Sequence, residues 1–414
     1  MTTSESLLNP PTVYVWVWLA GAVEPVVAGR LDDRGPVATF TYGRSYLDNP
    51  DAVPLYLPDL PLVPGEVPPA SGSLPGCIAD SAPDAWGRRV IEHRNRLADR
   101  DLSELGYLLC SGSDRAGALD FQASPADYVP RVAEQSSLAE LAEAAASIEE
   151  GRALPPALER ALLGGTSMGG ARPKATLVEG SRHMIAKFSS AADSFPVVKA
   201  EFVAMELARR AGIDAAPVTL SSAAGRDVLV VDRFDRTPDG GRRLTVSALT
   251  VLNLHAAGGI AGRYGTYVDL ADQIRARFIS ADATLRELFS RIVFNILVSN
   301  TDDHPKNHAA FWDGEMLTLT PAYDICPQLR TGGEAFQAMA YGPGGERISQ
   351  VDGCVEHAGH YHLDREDAAD IVEHHTETIR SEWNDVCDLA QLTAPERDQL
   401  WQRQFLNPAS TSAT

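Results

Sequence analysis

Asn300-Thr301-Asp302-Asp303-His304-Pro305-Lys306-Asn307 is followed, beyond a short strand-like stretch, by Ala322-Tyr323-Asp324. A carboxylate, an amide five positions on and a second carboxylate after a strand are the groups that phosphoryl transfer needs. One orients the attacking hydroxyl, and two hold Mg²⁺ against nucleotide phosphates. The stretch directly follows Leu285 to Val298, where Leu288, Phe289, Ile292, Val293, Ile296 and Leu297 make a helix that is apolar on nearly every side. Such a helix belongs in the middle of a lobe, and polar groups crowded at its end are costly unless they are used or paired. Asp302 is therefore the candidate base, Asn307 and Asp324 are the candidate Mg²⁺ ligands, and Lys306 is a candidate partner for charge on the γ-phosphate. Asp303 and His304 read equally well as an Asx-rich cap and turn, and His308 as a packing residue.

The bulk composition sets the frame. The chain has 414 residues, 44% hydrophobic and 22% charged, which is ordinary globular composition and long enough for two or three lobes. Its 56 acidic residues outnumber 36 basic ones, giving a formal charge of −20. That field disfavours autonomous nucleic-acid binding and favours a basic partner or substrate surface. The five cysteines, Cys77, Cys110, Cys326, Cys354 and Cys387, are scattered and never spaced Cys-x-x-Cys. Neither structural zinc nor a disulfide framework is expected from them, only reduced thiols. Met1 to Pro11 lacks the basic-then-apolar pattern of a signal peptide. The longest apolar runs fall well short of the roughly 20 residues that cross a bilayer. The expectation is a soluble, cytoplasmic protein with no membrane association.

Local patterns give an α+β chain. Thr12 to Leu19 sets Tyr14, Trp16 and Trp18 on one face at period two, and short strands at 26–27 and 37–40 continue a small antiparallel sheet. Residues 48–75 are Pro-rich and expected to be irregular. Helical stretches follow at 84–91, 102–110, 138–150 and 157–163, with a hairpin over 174–188 turning at Glu179-Gly180. Val197 to Ala211 is an amphipathic helix with Val198, Phe202, Met205 and Ala208 inward, closed by Gly212. Val228 to Val231 reads as a strand, the pattern from Thr245 onward as helical, and Asn407 to Thr414 as a frayed tail. A polar, Pro-containing shift over 123–130 suggests a boundary, and the motifs below divide the chain into 1–130, an N-terminal β-containing subdomain, 131–240, a nucleotide-binding region, and 241–414, a helical catalytic lobe.

The nucleotide side rests on order. Gly164-Gly165-Thr166-Ser167-Met168-Gly169-Gly170-Ala171 lies between a helix and a hairpin, where bare backbone amides can approach phosphate. It matches neither Gly-x-x-x-x-Gly-Lys-Ser/Thr nor a clean Gly-x-Gly-x-x-Gly, so by itself it reads as a loop. Lys187 ends a strand, suited to the α- and β-phosphates, and Glu201 follows on a helix, suited to orient that lysine. Taken singly, both are ordinary surface charges. Asp232-Arg233-Phe234-Asp235-Arg236 leaves an apolar strand, either as an adenine-cradling connector or as a plain strand end. His357, His360, His362, His374 and His375 lack a supporting ligand set and read as polar loop residues. The Trp16/Trp18 stripe reads as sheet packing.

Together these pieces resemble the HipA family of toxin–antitoxin serine/threonine kinases. The resemblance rests on Ile78-Ala79-Asp80 to Asp84-Ala85-Trp86-Gly87-Arg88-Arg89, Ser167 to Lys174, Lys187, Glu201, Asp232 to Arg236, Asn300 to Asn307 and Ala322-Tyr323-Asp324. Likeness to protein kinases in general is limited to the Asp302-to-Asn307 gap, which equals that of their catalytic loop. The resemblance implies a two-lobed fold, akin to protein kinases and phosphoinositide kinases, with an extra N-terminal β-containing subdomain and a mainly helical C-terminal lobe. It implies ATP and Mg²⁺ as cofactors, Asp302 as base, Asn307 and Asp324 as metal ligands, and Lys187 as the phosphate lysine. The loop residues Ser167, Met168, Gly169, Gly170 and Ala171 and the connector Asp232, Arg233 and Phe234 would contact the nucleotide. Ser167 matches the serine that the family phosphorylates on itself, a step that adds close to two negative charges to the loop. The implied partners are a helix-turn-helix antitoxin dimer, DNA reached weakly or through it, and a protein substrate of the aminoacyl-tRNA synthetase kind. Arg172-Pro173 departs from the Gln-Glu of well-known members and removes one amide donor from the loop. Two other functions remain open on the residues: a catalytically weak co-repressor module, and a small-molecule or lipid kinase.

Overall fold

Alternating residues of β1, Thr12–Val17, sort to two faces as a period of two demands, with Val13, Val15 and Val17 wholly buried. β1 pairs antiparallel with β2, Val26–Asp33, through a bulge between Val15 and Trp16, and on its other side with β5, Leu119–Gln122. β3, Ala38–Tyr42, and the two-residue β4, Glu66–Val67, complete a sheet of order β4-β3-β2-β1-β5. The indoles of Trp16 and Trp18 are covered by Tyr128, with ring centroids 5.4 and 5.5 Å away, so the aromatic stripe is sheet packing.

The computed structural model describes residues 8–95, 102–133, 136–256, 265–330 and 332–411. The first seven residues and the last three, on which part of the N-terminal and tail expectations fell, lie outside that set. The chain divides into two compact units. One comprises Met1–Ala191, Ser222–Ala256 and Phe311–Glu315, the other Ala192–Ser221, Ala257–Ala310 and Met316–Thr414.

In the first unit the expected hairpin is present: β6, Lys174–Glu179, pairs with β7, Arg182–Phe188, around Gly180 at φ +61°. β7 also pairs antiparallel with Val228 to Asp232 of a strand spanning Arg226–Asp232. Ala175, Met184, Ala186, Phe188, Val228 and Val230 face one way and pack on two helices. Trp86 and Val90 come from Ala85–Asn95, and Leu141, Ala145 and Ile148 from Leu138–Glu149. The second helix begins where Ser137 and Glu140 form a reciprocal capping box.

The second unit is built on the Ala281–Leu297 helix, whose Leu285, Leu288, Phe289, Ile292, Val293, Phe294, Ile296 and Leu297 have no solvent exposure. It packs against the helices Tyr267–Arg277 and Arg365–Leu389, and Arg365–Leu389 also packs on Val197–Arg210. Val198, Phe202, Met205 and Ala208 are buried as expected, and the helix closes at Gly212, φ +83°. Arg291 and Asn295 are buried polar residues of the central helix, and the Arg291 guanidinium pairs with Glu287 at 2.8 Å and donates to the Thr320 carbonyl at 2.9 Å.

Two expectations are corrected. The region after Thr245 is not helical throughout, since the described residues between Leu319 and Val351 hold no helix. The tail is not frayed over 408–411: Pro408–Thr411 is a short helix, and its fully buried Ser410 accepts a hydrogen bond from Arg330. A Ser/Thr/Ala-rich composition signals disorder only when nothing buries it, and here the hydroxyl has a partner. Among the described residues no helix is long and apolar enough to cross a membrane.

Candidate active site

The candidate catalytic loop starts where the central helix runs out. Ser299 turns the chain at φ +54°, and Asn300 is fastened back to Asn295 through its amide nitrogen (2.8 Å) and its side chain (3.0 Å). Gln337 donates to the Asn300 carbonyl at 3.2 Å, and Pro305–Asn307 forms one 3₁₀ turn. The loop then sorts its side chains: Asp302 and Lys306 are exposed, while Asp303, Asn307 and His308 are buried. Oδ2 of Asp303 accepts from Asn295 Nδ2 and His308 Nε2, each at 2.8 Å, and from the Tyr267 hydroxyl. Burial alone would raise this carboxyl, but the charge and hydrogen bond of His308, with the Tyr267 bond, hold it below the usual range.

Asp302 behaves oppositely. Its tip meets solvent, but protein crowding on its other side raises the carboxyl above the ordinary range. The charge of His304 opposes that shift, and those of Asp324 and Asp303 add to it. Asp302 and Asp324 are therefore close enough to repel. The residues before Asp324 are pinned in the same unit, Ala322 pairing in parallel with Ala215 and the Tyr323 hydroxyl donating to the Lys306 carbonyl at 2.7 Å. Asp324 itself sits at φ +60°. Aspartate tolerates that left-handed conformation but takes it uncommonly, and such strain clusters at functional sites. Two crowded carboxylates and an amide oxygen are hard donors that suit Mg²⁺, which binds one or two protein carboxylates and takes its remaining ligands from phosphates and water.

The Gly-rich segment and Lys187, expected on the nucleotide side, lie in the first unit. The Gly-rich segment begins as a 3₁₀ turn over Leu162–Gly165 and is packed down, with Ser167 and Met168 buried and Gly169, Gly170 and Ala171 exposed. Thr166 Oγ1 donates to the Leu163 carbonyl (2.7 Å) and accepts from the Gly112 amide (3.1 Å). The Gly170 amide donates to Asp84 at 3.0 Å, Lys174 Nζ donates to the Gly169 carbonyl, and Arg115 donates to Ser167 Oγ at 3.3 Å. A Cβ on Gly87 would lie 1.8 Å from the Thr166 carbonyl oxygen, so only glycine admits this approach. Pro173 lacks a donor, yet its carbonyl accepts from Phe188 at 3.1 Å and so extends the hairpin. Lys187 lies on β7 directly across from Lys174, on the face away from Ala186 and Phe188. Glu201 is buried on a helix of the second unit.

The Asp232–Arg236 stretch is largely committed to packing. Asp232 pairs with Arg182 at 2.6 Å. Buried Arg233 donates to Asp114 (2.7 Å), Asp235 (2.8 Å) and the Arg115 carbonyl (2.6 Å), and Arg236 reaches the same three partners. Burial opposes the Asp114 charge, but Arg233 and Arg236 bring its carboxyl down to about 2. The predicted nucleotide contact at Arg233 thus has its guanidinium fully engaged elsewhere. Phe234 stays half-buried, edge-on to Phe311 at 5.8 Å. The C-terminal histidines disperse among separate partners: His357 near Glu346, His362 on Asp282, His374 on the Ala211 carbonyl and His375 on Ser290.

Comparison with known proteins is decisive about family. The HipA-like C-terminal domain matches residues 166–383, more than half of the chain, and the HipA N-terminal domain matches 13–122. The chain belongs to the HipA family. Its HipA-type fold is matched by the Shewanella oneidensis HipA of a complex with HipB and operator DNA, at TM-score 0.67 and 20% identity, over 96% of this chain and 99% of that one. Among curated relatives, a putative kinase Y4mE of Sinorhizobium fredii is 31% identical over 130 residues, covering 30% of this chain and 31% of the relative. The serine/threonine-protein kinase toxin HipA of S. oneidensis is 27% identical over 141 residues, covering 30% and 33%. Each match spans about a third of the curated relative.

The HipA N-terminal match also contains residues whose physical role the sequence left blank. Asp80 accepts from Ser247 nitrogen (2.7 Å), Ser247 Oγ (2.6 Å) and Thr250 Oγ1 (2.7 Å), capping a helix turn. Trp86 Nε1 donates to the Lys174 carbonyl (3.0 Å), and Arg88 pairs with Glu104 (2.7 Å). Asp80, Asp84, Trp86 and Gly87 together hold neighbouring segments of the first unit, the Gly-rich loop among them. A polar segment rich in Asp, Pro and Gly around a tryptophan was the available signal, but its partners lie far along the chain.

Proposed function

We propose that this HipA-family chain is an ATP- and Mg²⁺-dependent serine/threonine protein kinase acting as the toxin of a toxin–antitoxin pair. The observation that carries the proposal is the pairing of Asp302 with Asp324 at the end of a buried helix, one raised in pKa and the other held in left-handed backbone. Asp302 accepts the hydrogen bond of the substrate hydroxyl, orients it and takes its proton as the hydroxyl oxygen bonds to the γ-phosphorus and the bond from that phosphorus to ADP breaks. Asn307 and Asp324 would hold Mg²⁺, which supplies neutralisation of phosphate charge. Lys187 would lie on the α- and β-phosphates with Glu201 directing it, and Lys306 on the γ-phosphate. With the Arg233 side chain engaged, a connector contact to adenine falls to backbone groups of Asp232 to Phe234. Ser167 is buried beneath Arg115, so phosphorylation of Ser167 on the chain itself requires release of the loop.

The proposed partners are a basic helix-turn-helix antitoxin dimer, and DNA reached through it. The net charge of −20 favours the basic dimer and disfavours direct DNA contact, and the complex of the Shewanella relative holds HipB and operator DNA. The proposed target is a cytoplasmic protein of the aminoacyl-tRNA synthetase kind. Incubation with γ-labelled ATP, with Mg²⁺ or with chelator, beside Asp302→Ala, tests the proposal. Label on Ser167 and on a lysate protein is expected, falling about 100-fold or more in the variant. Label confined to lipid or small molecules would move the assignment to another kinase class. No label, with antitoxin binding retained, would leave a co-repressor module.

A further inference from the structure

The loop carries a second carboxylate, Asp303, that the proposed chemistry does not touch. It follows Asp302 in sequence, just as His308 follows Asn307. Their side chains meet at 2.8 Å and are only 3% and 4% exposed. A carboxylate can only accept, so His308 presents its Nε2 proton to Asp303, while its Nδ1 is buried without a partner. The same Asp303 oxygen is held by Asn295 from the central helix and by Tyr267 from the neighbouring one. The Tyr267 and His308 rings meet edge-on at 5.7 Å. A buried charge in such a cluster is a poor way to add stability, because apolar residues of similar volume commonly do as well or better. Its placement is what singles it out: the bond spans the loop, and each of its ends is covalently next to a residue of the proposed machinery.

We propose that Asp303 and His308 form a cross-brace that sets the separation of Asp302 and Asn307, and with it the geometry at which metal and nucleotide are held. Both are positioning residues, not catalytic ones, and Tyr267 and Asn295 anchor the brace to the two helices. This rests on the kinase reading. Loss of the brace leaves the ligands present but displaced. Weaker metal binding is therefore expected, with a larger rise in KM for the metal–nucleotide than fall in kcat.

The test is Mn²⁺ binding followed by electron paramagnetic resonance, with a non-hydrolysable ATP analogue, alongside thermal melting. Asp324→Asn serves as the control for the site itself. His308→Leu is expected to weaken Mn²⁺ about 10- to 100-fold, the usual effect of removing a group that orients a ligand. His308→Gln retains an N–H at the position of Nε2 and should restore most of that affinity. A folded His308→Leu with wild-type Mn²⁺ affinity overturns the brace, as does failure of His308→Gln to bind better than His308→Leu. Should His308→Leu not fold, Tyr267→Phe takes its place, and unchanged affinity there overturns the proposal equally. If wild type and Asp324→Asn bind Mn²⁺ alike, the kinase assignment of the site fails and the brace goes with it.

Discussion

The Gly-rich loop at 164–171 and the catalytic loop at 300–307 are both polar turns leaving a helix, and they dispose of their polar groups in opposite ways. In the first, the groups that were expected to meet phosphate are taken up by neighbours: Gly170 by Asp84, Ser167 by Arg115 and Thr166 by Gly112. In the second, inward Asp303 bonds to His308 just beyond the loop, and Asp302 is left facing solvent with a raised carboxyl. A loop whose bonds are made by distant segments can change state when those segments let go. A loop braced through a buried carboxylate to its own helix, and held as well by Tyr267, Gln337 and Tyr323, keeps one geometry. On this comparison the first unit holds the adjustable part and the second holds the fixed part.

The largest way to break the comparison is to remove Arg233, which ties the Asp232–Arg236 stretch to the segment holding Ser167. Arg233→Ala leaves half-buried Asp114 and buried Asp235 with Arg236 as their remaining arginine and should cost about 3 kcal/mol, read by urea denaturation. Next is Gly87→Ala, whose added methyl cannot coexist with the Thr166 carbonyl oxygen. Either the core strains, by up to about 3 kcal/mol, or the loop leaves its dock. Limited proteolysis distinguishes the two, with faster cleavage near 164–171 than in wild type expected. The corresponding change in the fixed loop, His308→Gln, should leave proteolysis there unaltered.

The smallest test sharpens the fixed side. His375 lies behind the central helix, hydrogen-bonded to Ser290 at 2.8 Å, and burial, reinforced by the neighbouring His374, lowers its pKa to about 4. The folded state then binds fewer protons than the unfolded state between roughly pH 4 and 6.5. This contribution is complete above pH 6.5 and is lost as pH falls towards 4. Between pH 7 and pH 5 wild type should lose about 2 kcal/mol that His375→Gln does not, measured by denaturation at the two pH values.

Much of this was legible in the chain. The apolar run at 285–298 reads as a buried helix because it is apolar on nearly every side, and the structure leaves its apolar side chains with no exposure. The hairpin at 174–188 followed from alternation and Glu179-Gly180, and the family from Asp302 to Asn307 together with Tyr323-Asp324. Arg233 was not legible: it was taken with the nucleotide connector, but its partners Asp114 and Arg115 are more than a hundred residues away. Pro408–Thr411 and the clasp of Asp84 on Gly170 share that reason.

Sequence by itself thus determined which residue types recur in which order. That order is enough for most of the elements and for the family, since periodicity and spacing are local quantities. Only the tertiary structure decided the environment of each group. It split the adjacent carboxylates Asp302 and Asp303 into a raised one and a lowered one, and it buried Gly164, Gly165 and Ser167 while leaving Gly169 and Gly170 exposed. Burial and charge pairing depend on what folding brings alongside a residue.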